Sequence, residues 1–554
     1  MDNQSMVILF ILSILVIMIA MHLNNNRKQK KRIQQKWGTI PTETRMDSEE
    51  SLNQSYEKLK TSLDFDSEVD DITWYDLDLF EVFKEINHTH SSVGSEALYR
   101  RLRLFNFNDQ DQNRIEKLIA FYDENSKTRE KIEFIFARLG KKDRNSVVRY
   151  LTDSKKKGLS SLAIFVLLGA LPIVGLFLIL FGVEGLGFTK LVGSVLFNII
   201  YSVMKKAEID MELMSMGYLV QTLYTAKQLT KIDHPLQKEI TPLLKPFRSV
   251  LRFSFAFRAR ENSELEILLD YLNMLFMIPF IAYHFVFNQI KNHEKEAILL
   301  WQLLGDLEAA YAILNYRTTL SVYIKSAFNE EEDVIGKKVY HPLIERPVPN
   351  PVKWMQNTLV SGSNASGKST YVKSVAISCI LAQTIYTCLA ESFSMKRGHV
   401  LTSMAVEDDV LQGDSYFVAE IKSLKRVLDQ VNTQERCYLF IDEILRGTNT
   451  VERIAASSSI IDWIDDYPSL AFVATHDIEL TEILKDQCEN VHFKEDVTAE
   501  DGIQFNYLLQ KGPATSRNAL LLLQNMDFPN SVIKNAQAEA NHFDQMQEWL
   551  SFES

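Results

Sequence analysis

Residues Gly362 to Ser369, GSNASGKS, follow the spacing Gly-x-x-x-x-Gly-Lys-Ser, and the chemistry such a spacing serves is the holding of a phosphate chain. Glycines let successive backbone N–H groups turn toward phosphate oxygens, Lys368 reaches toward the β- and γ-phosphates, and the Ser369 hydroxyl is offered to Mg²⁺. A strand-like run, Thr358-Leu359-Val360, precedes the loop, and an apolar helical pattern from Tyr371 to Leu389 follows it. A helix starting there adds the positive end of its dipole to the site. The alternative, a Gly/Ser-rich loop with a chance lysine, explains neither flank. The expected nucleoside triphosphate site comprises Gly362, Ser363, Asn364, Ala365, Ser366, Gly367, Lys368, Ser369 and Thr370.

Two apolar runs further on end in polar residues. The stretch Cys437 to Glu443, CYLFIDE, reads as a buried parallel strand with two acids at its end. Asp442 is placed to hold Mg²⁺ through its water shell, and Glu443 to orient or deprotonate the attacking water. The stretch Ser469 to Asp477, SLAFVATHD, ends at Thr475-His476. In a parallel sheet the strand ends line the ligand crevice, so His476 is expected at the γ-phosphate or the lytic water. Between them, Gly413-Asp414-Ser415 forms a small polar turn opening a helix, a geometry suited to an anion.

The elements that must carry these residues occupy only part of the chain. Its 554 residues call for two or more domains, and a composition of 46% hydrophobic and 24% charged residues is that of a globular protein with room for membrane segments. The net charge of −12 argues against a global basic field for nucleic acid. The spacing of the four cysteines, Cys379, Cys388, Cys437 and Cys488, fits no zinc pattern, so they are expected as reduced, buried thiols. Met6 to Leu23 is an unbroken apolar run followed by Arg27, Lys28, Lys30, Lys31 and Arg32, the pattern of an anchor with its N-terminus outside. Leu159–Phe181 and Phe188–Met204 form a second and a third apolar run, flanked by Lys155–Lys157 and Lys205-Lys206, the pattern of a transmembrane hairpin with both ends cytoplasmic. Tyr271–Phe287, broken by Asn273, Pro279 and His284, is expected to be a buried or membrane-surface helix, because a fourth span would put the triphosphate site outside. His284 is expected as a packed histidine.

Taken in order, Gly362–Thr370, Gly413-Asp-Ser-Tyr-Phe417, Asp442-Glu-Ile-Leu-Arg-Gly-Thr448 and Ala474-Thr-His476 resemble the ATPase domain of the MutS DNA mismatch-repair family. Tyr340–Leu343 with Val348-Pro-Asn350 is similar to that domain's entry strand, and Asn490–Phe493 and Lys511–Arg517 to its later blocks. Asp76–Arg103, with Thr89 and Gly94, resembles the start of the family's helical core. The resemblance implies an ABC-type ATPase using ATP and Mg²⁺, a head-to-tail homodimer with composite sites, Ser415 reaching the γ-phosphate held by the opposite subunit, and Val348 and His492 flanking the adenine. The chain departs from the family pattern where Ser363, Ala365 and Ser366 replace Pro, Met and Gly, and where Leu445 replaces a glycine. No stretch ahead of the helical core is expected to form the mismatch-reading domain, and its Phe-x-Glu wedge is missing from the N-terminal region.

The expected fold is therefore an α/β P-loop ATPase domain of ABC type joined to an all-α core and lever region and to transmembrane helices. Its divisions are an anchor and basic flank at 1–36, a core-like helical region at 37–158, a hairpin at 159–204, a lever-like region at 205–334 and the ATPase domain at 335–554. Two loads fit this engine. One is double-stranded DNA, through the resemblance, and the other is a membrane or protein partner without DNA. The basic clusters are explained by membrane topology, which leaves only Arg252, Arg258 and Arg260, interleaved with Phe253, Phe255 and Phe257, as a candidate phosphate contact. An ABC transporter fits less well, since no Leu-Ser-Gly-Gly-Gln motif occurs.

Overall fold

Two largely apolar stretches, Leu162–Leu180 (α1), which has no charged residue, and Glu184–Glu208 (α2), whose charges lie mostly at its ends, fold as helices and pack side by side as a hairpin. Their side chains are distributed inside out. The residues turned inward are small or polar: Gly169, Pro172 and Gly175 beside Phe165 on α1, and Gly187, Ser194, Asn198 and Ser202 on α2. The residues turned outward include Leu167, Leu176, Phe177, Leu180, Leu196, Phe197 and Ile200. By length and composition both helices are able to cross a membrane, and only 22% and 17% of their apolar windows are buried. These observations come from a computed structural model that describes residues 20–21, 24–41, 47–144, 147–152, 161–252, 271–331, 333–362, 366–404, 416–498, 502–514 and 520–549, the last stretch without 521, 522, 525, 527 and 547. Nearly all of the anchor expected over Met6–Leu23 lies outside the described residues, and residues 24–36 after it are helical.

The chain divides into two compact units. The helical one comprises Met1–Asp64, Phe83–Arg101 and Asn108–Thr319. Besides the hairpin it contains Asp210–Leu229 (α3), Ile278–Asn292 (α4) and Glu294–Thr319 (α5). Helix α5 is also apolar enough to span, but 78% of its window is buried, so it serves as a core helix of this unit. Its Glu308 carboxylate accepts the backbone N–H groups of His90 and Ser91, the latter at 2.9 Å, and so caps the helix that starts at Ser92. Gly94 lies so close to Glu308 that a Cβ there would clash with it, which gives the Thr89–Gly94 motif a packing role. The segment expected as one helix over Tyr271–Phe287 is broken. Residues 271–275 are helical, Met277 takes a left-handed φ of 57°, and α4 then starts with Pro279 in its first turn. His284 is buried, its ring 5.9 Å from that of Phe165.

The second unit comprises Leu320–Ser554 together with Phe65–Val82 and Leu102–Phe107. Thr358–Ser361 (β1), His399–Ser403 (β2), Cys437–Asp442 (β3), Ser469–Thr475 (β4), Glu489–Thr498 (β5) and Gly502–Lys511 (β6) form one sheet in the order β2-β3-β4-β1-β5-β6. The neighbours from β2 to β5 run parallel, and β6 is antiparallel to β5. Strands buried on both faces need apolar residues throughout. In β3 and β4 one face is aromatic, with Tyr438, Phe440 and Phe472 around the indole of Trp354. The other face is aliphatic, and Leu439, Ile441, Ala471 and Val473 pack with Leu424, Val427, Ile461 and Ile464. Those last four lie on helices Tyr416–Val431 (α7) and Thr450–Asp465 (α8), while Lys368–Thr384 (α6) follows β1.

The sequence places the start of this unit near Ile335, whereas the structure adds the early segments. The edge strand β2 explains the addition, because its polar backbone is satisfied by side chains from far upstream. Asp76 accepts from Thr402 Oγ1 at 2.6 Å and from the Met404 N–H at 2.9 Å. Thr402 N–H donates to Thr73 Oγ1 at 3.2 Å, and Arg426 joins Asp70 to the Thr402 carbonyl. An open strand edge is thereby covered.

Candidate active site

Strands β3, β4 and β1 are neighbours, so their carboxyl ends open side by side, with Asp442 opposite Ala474 and Thr475 opposite Ser361. The Glu443 N–H continues the ladder by donating to the Ala474 carbonyl at 2.9 Å. Glu443 and Leu445 both adopt left-handed backbone, with φ of 62° and 57°. The turn after β3 therefore strains two residues that are not glycine, one of them the Leu445 that stands where the resembled family has glycine.

The side chains converge around this turn. Ser369 Oγ, at the start of α6, donates to Asp442 Oδ2 at 2.7 Å. Glu443 Oε1 lies 3.0 Å from His476 Nδ1, and its Oε2 lies 2.6 Å from Arg446 Nε. Arg446 also donates to the Asp442 carbonyl at 3.3 Å. Arg453 on α8 grips the next residue, Asp477, through two bonds of 2.9 and 2.6 Å. Lys368 is buried, and its ammonium folds back onto the Gly362 carbonyl. Gly362 and Gly367 have φ of 139° and 101°, which L side chains rarely adopt, and a Cβ on Gly367 would come within 3.0 Å of the Tyr507 ring.

The electrostatics favour the ionised pair. Burial alone would raise the Glu443 carboxyl, but the His476 hydrogen bond and the charges of Arg446, His476 and Lys368 outweigh it and hold the group below its ordinary range. The same hydrogen bond raises His476 above 6.5, with burial opposing and the charges of Glu443 and Asp477 assisting. Glu443 is thus a carboxylate near neutrality.

Beside the phosphate loop lies a cavity of about 330 Å³ bordered by Gly367, Thr370, Val348, His341, Phe493 and Tyr507. Val348 faces it. His492 does not line it, and its Nδ1 is instead 2.8 Å from the Gly512 carbonyl. Asn350 ties the cavity's two sides together, donating to the Tyr507 carbonyl at 2.8 Å and accepting from the Leu509 N–H at 2.8 Å. Ser363, Asn364, Ala365 and Ser415 lie outside the described residues.

Residues 358–544 match the family MutS domain V. This segment is a MutS-type ATPase domain. The DNA mismatch repair protein MutS of Oceanobacillus iheyensis is 29% identical over 268 residues, covering 45% of this chain and 30% of that protein. MutS of Lactobacillus acidophilus is 30% identical over 271 residues, with 45% and 31% covered. MutS protein homolog 4 of Homo sapiens is 29% identical over 235 residues, with 39% and 25% covered. The alignments span less than a third of these relatives' length.

Within the MutS-type domain, Ser369 and Asp442 are hard oxygen donors close enough together that they could hold one small cation such as Mg²⁺. The sequence reading gave no role to Arg446, whose signal is its place in the Asp442–Thr448 block three residues after Glu443, or to Asn350, whose signal is the Val348-Pro-Asn350 block. Of the cavity residues, Phe493 closes the Asn490–Phe493 block, whereas Tyr507 carries no motif of its own. They reach the site through the β5–β6 pairing, which spacing alone does not reveal.

Proposed function

We propose that this protein is a membrane-anchored ATPase that hydrolyses ATP with Mg²⁺ at sites completed by a second copy of itself. The observation that carries the reading is the convergence of Glu443, His476, Asp442 and Ser369 on three adjacent strand ends beside the Gly362–Thr370 loop. Glu443, ionised and fixed by Arg446 and His476, accepts the proton of the attacking water. Lys368 holds the β- and γ-phosphates, and Ser369 and Asp442 hold Mg²⁺, which when bound neutralises the phosphate oxygens. Val348, Phe493 and Tyr507 border the adenine, and Ser415 completes the partner's site. The inside-out hairpin supports the anchoring, since lipid accepts outward leucines and phenylalanines that water does not. With Met6–Leu23 it makes three spans, with the N-terminus outside and the ATPase domain in the cytoplasm.

Double-stranded DNA is the load that the relatives' printed names suggest. Full-length protein in lipid nanodiscs should then bind duplex DNA with steep salt dependence and change its ATPase rate on binding. Comparing mismatched with matched duplexes then measures any mismatch preference. The hairpin favours a second reading, in which the load is a membrane or protein partner. Mg²⁺-dependent ATP hydrolysis that is indifferent to duplex DNA at low salt would decide for it.

A further inference from the structure

Pro172 in α1 lacks the N–H that would serve the carbonyl four residues before it, and the left-handed turn at Met277 takes a second carbonyl, just before it, out of the helical ladder. Those carbonyls belong to Leu168 and Leu275. Both are taken up by one side chain: the carboxamide of Asn198 on α2 donates to the Leu168 oxygen at 2.8 Å and to the Leu275 oxygen at 2.8 Å. Two carbonyl acceptors fix the orientation of the amide, since only its NH₂ end can meet them. Asn198 is fully buried. At Gly169 a Cβ would lie 2.5 Å from the Phe276 carbonyl oxygen, so only glycine lets the broken segment come this close. Phe165 on α1 stacks on Phe280 of α4, with ring centroids 5.0 Å apart. The break at 276–277 is thus docked on the hairpin through a polar tie and a small-residue notch.

A membrane interior tolerates irregular backbone only where protein satisfies its polar groups. A helix break whose backbone is exposed to water needs no such provision. Asn198 stands seven positions before Lys205, which places the tie roughly 10 Å along α2 from its basic end. The segment also turns Tyr271, Leu272 and Phe285 outward, continuing the apolar exterior of the hairpin. We infer that residues 271–292 form a third embedded element, a broken helix that enters the acyl region of the bilayer beside the hairpin and is held there by Asn198. The inference rests on the hairpin being in the bilayer. The broken helix enters and leaves on the same face, so the topology of the ATPase domain is unchanged.

The four native cysteines are buried, so single reporter cysteines can be read against a low background. In sealed vesicles carrying the full chain, Leu272→Cys and Phe285→Cys should resist a membrane-impermeant maleimide until detergent is added, as should Leu167→Cys on the hairpin. Ile483→Cys, exposed in the other unit, should label at once when its face of the membrane is accessible. Labelling of 272 and 285 as fast as 483, with 167 still protected, overturns the third element and leaves the hairpin standing. Labelling of 167 as well overturns the membrane reading itself. Asn198→Leu should lower the thermal midpoint and expose Leu272→Cys, and adding Pro172→Ala should partly restore both by returning an N–H donor to the Leu168 carbonyl. A double variant no better than Asn198→Leu removes the Leu168 carbonyl as a reason for the asparagine.

Discussion

The two apolar regions of this chain are built on opposite plans. In the sheet of the MutS-type unit, Leu439, Ile441 and Val473 are buried, and the charged groups gather where the strands end, at Asp442, Glu443 and His476. In the hairpin most leucines and phenylalanines face out, and Asn198, Ser194, Gly169, Gly175 and Gly187 face in. The contrast shows what a buried polar side chain is for in each solvent. At the strand ends polar groups are arranged to act on a ligand, whereas between the hairpin helices they join one element to another.

The sharpest way to break this comparison is Glu443→Gln. If the strand-end carboxylate is chemical in purpose, turnover should fall by about 10²–10⁴-fold while ATP binding persists. A turnover assay with parallel nucleotide-binding titration reads both, and unchanged hydrolysis removes the assigned role. Asp76→Ala tests a polar group of the same unit that is structural instead. It orphans the Thr402 hydroxyl and the Met404 N–H, so denaturant unfolding should lose roughly 1–3 kcal/mol for each group left unpaired. Gly175→Leu tests the hairpin interior, where even a Cβ would meet the Leu191 nitrogen at 2.8 Å. Overpacking of about 1–3 kcal/mol should loosen the hairpin, while Leu176→Met on the outer face should change little. The smallest effect concerns pH. His476 is raised above 6.5 in the folded protein, so its contribution to stability is fully present below 6.5 and is lost as pH rises through the raised value. Thermal midpoints followed across that window should decline in the parent and decline less in His476→Gln. Equal slopes would show that the imidazole is not bound to Glu443.

The sequence makes the engine far easier to read than its surroundings. Lys368, Ser369, Asp442, Glu443 and His476 stand out because phosphate chemistry demands fixed residue types at strand ends, and spacing records that demand directly. The hairpin is legible for a similar reason, as its helices have the length and apolar composition that crossing a membrane would require. What spacing does not record is pairing between distant segments. Asn198 is a single asparagine in an apolar run until Pro172 and the turn at Met277 are seen to leave two carbonyls beside it. The fifth apolar candidate, α5, has the composition of a span and becomes a core helix only because other helices surround it. The entry of residues 65–82 into the second unit likewise depends on Asp76 meeting β2, which is more than three hundred residues away.

That meeting sets an order of events during synthesis. The segment carrying Asp70, Thr73 and Asp76 leaves the ribosome long before the strand whose edge it covers, and both hairpin helices are made in between. Until β2 exists, the early segment has no sheet to cover. Contacts of such long range are slow to form and leave edges exposed while they wait. A fragment starting at Leu320 would keep every motif of the phosphate site and still present an uncovered β2 edge to its neighbours. Self-association of that fragment would then report a missing cover strip, not the subunit pairing of the intact protein.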